Sequence, residues 1–148
     1  MLVGTVPDTY RAYLTPIVTE TPAAGVIPVL SIRPPCLDPA TPDANTRVAA
    51  LNQVVADVVQ AKQIPLWNYW AALATPGLVN HGLDSDGIHP NVYPGADGGS
   101  ASADFSPDGL RYGDNLRNLT ALQVLAEIKT AIIDPGILAQ RLNQRMRV

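Results

Sequence analysis

With a single cysteine, Cys36, the chain has no internal disulfide and no thiolate metal cluster, and its redox compartment stays open. Cys36 sits in a proline-rich stretch, where a packing role is the simplest reading. Charge is sparse: 16% of the 148 residues are charged, with both signs interspersed and a net charge of -3. Such a surface offers no footprint for a phosphate backbone, so nucleic acid is excluded as a partner. No run of about 18 apolar residues is long enough to span a bilayer, and the amino end lacks a basic segment followed by an apolar one. The two histidines, His81 and His89, lie too far apart in sequence to form a helical zinc pair, Asn80-His81-Gly82 reads as a turn, and no cofactor is implied.

Apolar residues make up 47% of the sequence, enough for a core, and the length suits one domain over residues 1–148. Pro7 and Asp8 suit a first helical turn, and Tyr10, Leu14, Ile17 and Val18 share a face, which predicts a helix from Pro7 to Thr21, kinked at Pro16 and closed by Gly25. Val26 to Ile32 is a nearly continuous apolar run that predicts a strand buried on both faces, with Pro28 near an edge or at its start. The prolines of Arg33 to Asn45 force a loop. Beyond it Val48, Leu51, Val54, Val55, Val58 and Val59 repeat with helical spacing, and Asn45 or Thr46 can cap that helix. Ile64 to Trp70 reads as a second strand, so strand, helix and strand follow one another as in a parallel βαβ unit. The fold class is therefore α/β. A short helix near Trp70 to Ala74, a long Gly/Asp/Asn/Pro-rich loop from Asn80 to Asp108, and a last helix from Asn115 to Ile133 ended by Pro135 and Gly136 complete the chain. The tail from Ile137 to Val148, with Arg141, Arg145 and Arg147, reads as a solvated terminal helix.

The long loop holds both histidines and much of the acid. A carboxylate that accepts one ring N–H of an imidazole fixes its tautomer and stabilises the imidazolium, so Asp86 and His89, three residues apart across Gly87, form a candidate acid–base pair. Leu83-Asp84-Ser85-Asp86-Gly87-Ile88-His89-Pro90-Asn91 resembles the D-x-x-H block of the GDSL or SGNH hydrolase family. The order of elements over roughly residues 7 to 133 is similar too. The resemblance implies a three-layer α/β/α flavodoxin-like domain with a parallel sheet and a serine-dependent hydrolysis of esters, with Asp86 orienting His89 as general base. Small esters or acylated carbohydrates are the implied substrates. Family members are often exported, and the low lysine content with abundant Ala, Pro and Thr is compatible with an extracellular or cell-envelope location.

The family's earlier blocks are not found. Gly4-Thr5-Val6-Pro7-Asp8 lacks the asparagine of the G-x-N-D segment, and Ser31, Ser85, Ser100, Ser102 and Ser106 stand in neither a GDS block nor a G-x-S-x-G elbow. The sequence thus reads as the carboxyl-terminal portion of a hydrolase, incomplete at its amino end. Such a piece is expected to expose a sheet edge and an apolar face and to form a homo-oligomer or pair with a complementing amino-terminal half. Two other readings compete. Asp84, Asp86, Asn91, Asp97, Asp104 and Asp108 among glycines suit a calcium loop, though the glutamate of an EF-hand is missing. Trp67, Tyr69, Trp70 and Tyr93 would serve a non-catalytic module that binds carbohydrate or a partner, although aromatics beside a strand usually belong to a core. Tyr112 and Asp114 are candidates for the border of a cleft, and Asn118-Leu119-Thr120 has the form of a glycosylation acceptor but falls inside an expected helix.

Overall fold

The computed structural model describes residues 6–38, 40–95 and 98–135; Asp97, Gly136 and the arginine-bearing tail lie outside them. Helix α1 spans Pro7–Glu20 with Pro at its first position, where the missing N–H would have had no partner anyway. It runs unbroken across Pro16 and buries Leu14 and Val18, four residues apart on one face. A turn of 3-10 helix, Thr21–Ala24, follows and ends at Gly25, whose φ of +75° is the left-handed conformation glycine adopts without strain.

Strand β1 is only Leu30–Ser31, far shorter than the apolar run around it. Val26 is 53% exposed and Ile27 36%, so the expectation of a strand from Val26 to Ile32 buried on both faces is corrected. The reason is a shortage of partners. Pro28 has no N–H to give, the Val26 N–H turns back to the Thr21 carbonyl at 3.1 Å, and the bonds across to the second strand come from Leu30 and Ile32, on Pro65 and Trp67 at 3.2 and 3.0 Å. Helix α2, Ala44–Lys62, buries Leu51, Val54, Val55 and Val58 on one stripe. Neither Asn45 nor Thr46 caps it: Asp43 holds the cap position without a side-chain bond, and Asn45 is engaged elsewhere.

Strand β2, Leu66–Trp67, lies parallel to β1 in the register Leu30↔Leu66 and Ser31↔Trp67, so the βαβ unit forms as its pattern requires. The second strand ends early because Asn68 caps helix α3, Tyr69–Leu73, by accepting the Ala71 N–H at 3.0 Å. Helix α4 spans Gly113–Ile128 and continues as a π-helical turn, Lys129–Ile133. The described chain is thus mixed α/β and mostly helical, around one two-stranded parallel ribbon.

Side chains alternate across that ribbon. Leu30, Ile32 and Leu66 pack on the cluster of Leu14, Val18, Val54, Val55 and Val58 between α1 and α2. Trp67 turns to the opposite side, where its Nε1–H donates to Thr120 Oγ1 of α4 at 3.0 Å. Arg11 and Asp57 pair between α1 and α2 at the solvent edge of the core. No helix among the described residues is long and apolar enough to cross a membrane. The centre of the cluster is Val55, 1% exposed. Val55→Ala, which removes two buried methyl groups, is expected to lower the unfolding free energy by about 2 kcal/mol in a urea titration.

Candidate functional site

The loop between α3 and α4 is built as a turn on a short antiparallel bridge. Leu83 pairs with Pro90, and the Asp84 N–H donates to the His89 carbonyl at 2.7 Å, which closes the segment Asp84 to His89 into a tight excursion. Leu83, fully buried, anchors its base. At the tip, Asp86 Oδ1 accepts the N–H groups of Ile88 and His89 at 2.9 and 3.0 Å, an Asx-type turn that aspartate makes readily. The other oxygen, Oδ2, lies 2.5 Å from His89 Nδ1. The two residues expected to act together therefore meet.

This bond has a chemical consequence. A neutral imidazole that donates from Nδ1 to a carboxylate leaves its lone pair on Nε2, the arrangement of a general base. No described residue bonds Nε2, and the His89 side chain is 75% exposed, so the basic nitrogen faces open space. Hydrogen bonds from the His89 ring first, then from the His89 and Ile88 N–H groups, pull the Asp86 carboxyl down from its ordinary 3.8 to about 2. The acid is therefore an anion through the neutral range.

The turn is seated on its neighbours at two places. Gly87 has φ of +68°, and a Cβ there would fall 2.5 Å from Asp38 N and 2.6 Å from the Leu37 carbonyl carbon, so only glycine fits. Its carbonyl accepts the Leu37 N–H at 2.7 Å. On the other side Asn91, buried, fastens the base to α4: its Oδ1 accepts the Gly113 N–H at 2.7 Å and its Nδ2 donates to the Val79 carbonyl at 2.7 Å. Gly113 lies so close to Gly82 that a Cβ would meet the Gly82 carbonyl oxygen at 1.9 Å. The Tyr69 hydroxyl donates to the Gly113 carbonyl at 3.0 Å, and burial pushes this phenol up to about 12. Sequence reasoning placed Asn91 at the end of the D-x-x-H block and among metal ligands, read Asn45 as a helix cap and Gly82 as part of a turn, and did not find Asn52 or Gly113. The available sequence signal is Asn52 interrupting the apolar stripe of α2 and Gly113 standing just ahead of the apolar residues of α4.

None of the described serines completes the pair. Ser31 Oγ is bonded to the Ile32 carbonyl, Ser106 Oγ accepts the Gly109 N–H, and no serine hydroxyl is bonded to His89. Ser31 does lie on a groove of about 320 Å³ at the carboxyl ends of both strands, with Arg33, Trp67, Tyr69, Pro90 and Arg117. Pro90 adjoins His89, so the groove reaches the base of the histidine turn.

The competing readings find less. Among the described residues no three His, Cys, Asp or Glu side chains come together as a metal site. The aspartates of the loop spend their oxygens on their own turns: Asp84 Oδ1 accepts from Ser85 N, Asp104 Oδ1 from Ser106 N, and Asp86 holds His89. Tyr69 is buried, Trp67 is tied to α4, and the Tyr93 ring packs at a tilt against Tyr112 with centroids 5.1 Å apart, so these rings are packed within the structure. Trp70 lines a separate, open groove of about 440 Å³ beside α2. Asp114 faces Arg117 at 3.8 Å, and Asn118 lies within α4 with its Nδ2 on the Ser102 carbonyl. His81 adopts a left-handed turn at φ of +58°. Cys36 is half-buried, its Sγ 3.4 Å from Thr41 Oγ1.

Because the folded Asp86 carboxyl titrates below its ordinary 3.8, its contribution to the turn is fully present above that value and is lost as pH falls through about 2. Carbon NMR of Asp86 should show this acidic midpoint, and in His89→Ala the midpoint should rise toward the ordinary value. Gly113→Ala should cost about 3 kcal/mol or more in denaturant unfolding, since the new methyl meets backbone rather than a movable side chain.

Comparison with protein-family models, with curated proteins and with solved structures found no match to this chain.

Proposed function

We propose that the chain carries the acid–base half of a serine ester hydrolase of the SGNH type, acting on small esters or acylated carbohydrates. The observation that carries this reading is the Asp86–His89 hydrogen bond, with Nδ1 engaged, Nε2 unencumbered and the carboxylate locked by two N–H groups of its own turn. In an ester hydrolysis, His89 Nε2 would take the proton of a serine hydroxyl and return it to the leaving alkoxide, while Asp86 holds the ring and stabilises the transient imidazolium. A general base of this kind must lie about 3 Å from the hydroxyl it activates, and no described serine does. The reading therefore places the nucleophile on a complementing amino-terminal segment.

Three further observations support it. The helices lie on both sides of the parallel ribbon, as in a three-layer α/β/α flavodoxin-like domain whose sheet would extend beyond β1. The groove at the carboxyl ends of the strands is where open parallel sheets place their ligands. Val26 and Ile27, exposed ahead of β1, offer apolar surface for a complementing segment to cover. Binding through the aromatic residues is not favoured, because Tyr69 and Trp67 are committed to the core and to α4.

The test is p-nitrophenyl butyrate hydrolysis and fluorophosphonate labelling of the chain alone and co-expressed with the polypeptide encoded immediately upstream. Turnover and a labelled serine are expected in the co-expressed sample, with His89→Ala reducing turnover by roughly 10²–10⁴-fold while circular dichroism stays unchanged. Undiminished turnover in His89→Ala, or neither turnover nor label in either sample, would overturn the proposal.

A further inference from the structure

We infer that Asn45 and Asn52 of α2 are positioning residues for the Asp86–His89 pair, acting through the proline-rich segment that leaves β1. This rests on the hydrolase reading only for its catalytic meaning; the mechanical coupling stands on the geometry alone.

The two asparagines are seven residues apart, two helical turns, and so share one face of α2. Each carboxamide grips one residue of the passing backbone with two hydrogen bonds. Asn52 Oδ1 accepts the Arg33 N–H at 2.9 Å while its Nδ2 donates to the Arg33 carbonyl at 3.0 Å. Asn45 does the same to Cys36, at 2.7 and 2.8 Å. A carboxamide bonded in this way stands in for the peptide group of a neighbouring strand.

The segment needs such a substitute. Pro34 and Pro35 have no N–H, so a sheet ladder cannot continue past Ile32. Between Arg33 and Leu37 the chain has three N–H groups, and each has one destination: Arg33 to Asn52, Cys36 to Asn45, and Leu37 to the Gly87 carbonyl at 2.7 Å. The third bond is the link to the site. Gly87 sits between Asp86 and the two N–H groups that hold the Asp86 carboxylate, and its α-carbon is pressed against Leu37 and Asp38 with no space for a methyl group. The height at which α2 holds residues 33–37 therefore sets where Gly87 lies, and Gly87 sets the turn that aims Asp86 Oδ2 at His89 Nδ1. A tip whose imidazole is 75% exposed has little packing of its own to hold it, so it depends on this support.

The experiment is NMR on the intact chain, comparing wild type with Asn45→Ala, Asn52→Ala and Asn45→Asp, the last keeping the acceptor and losing the donor. In wild type, ring-nitrogen shifts should report His89 as the Nδ1–H tautomer. In Asn45→Ala, amide exchange at Leu37, Ile88 and His89 should accelerate at least about tenfold, the scale of one lost hydrogen bond, and the ring should shift toward the Nε2–H tautomer. Asn45→Asp should fall between the two, while Val55 methyl and Trp67 indole signals stay in place. Faster exchange at Leu37 with an unchanged His89 tautomer and unchanged Ile88 exchange would overturn the inference, leaving the asparagines a purely structural clamp. Should Asn52→Ala, at a buried position, fail to fold, Asn45→Ala at the exposed first turn of α2 decides the matter. None of these readouts needs ester turnover, so the inference and the hydrolase reading can fail separately.

Discussion

Asn91 holds the histidine loop to the rest of the molecule. Its backbone N–H goes to the Gly82 carbonyl, its carbonyl takes the Asp114 N–H, and its side chain joins Val79 to Gly113. One buried residue thus closes the loop on itself and ties it to the start of α4. Because a buried amide left without partners costs about 1–3 kcal/mol, this junction has few alternative arrangements. The glycines beside it fit the same junction: a side chain on Gly113 would strike the Gly82 carbonyl, and Gly82 itself takes a left-handed φ of +76° against Leu73.

The tip that carries Asp86 and His89 is arranged differently. Asp86 and His89 are exposed, and almost nothing apolar holds them. Their order comes from backbone hydrogen bonds inside a six-residue turn and from the contact of Gly87 with the segment after β1. An exposed pair of this kind is weakly stabilising, because water competes for each partner. Its value lies in the tautomer it selects and in the open Nε2 it leaves.

The apolar surface is unevenly covered. Val18, Val55 and Leu83 are sealed, whereas Val26 and Ile27 before β1 and Leu122 and Leu125 on α4 stand more than a third exposed. Among the described residues the parallel sheet has two strands, whereas parallel sheets are normally covered on both faces and extended by further strands. This imbalance is what the proposed complementing segment would relieve.

Composition and periodicity by themselves determined the helices and the βαβ order, because each depends on a repeat that any core-facing helix or buried strand must show, whereas the pairing of Asp86 with His89 was expected from their spacing and from the resemblance to a D-x-x-H block. The valine stripe of α2 needed no tertiary information, and neither did the turn that aspartate makes with its own following N–H groups. The lengths of the strands did not follow, because a strand ends where its hydrogen-bond partners end: Val26 and Ile27 have the composition of a strand and no ladder partner among the described residues. Asn45 read as a helix cap for the same reason. Its local preference is genuine, but a proline-rich segment lacking donors passes within reach and takes both ends of its carboxamide. Only the tertiary structure could decide which long-range partner each polar group would find, since that is set by packing between segments far apart in sequence.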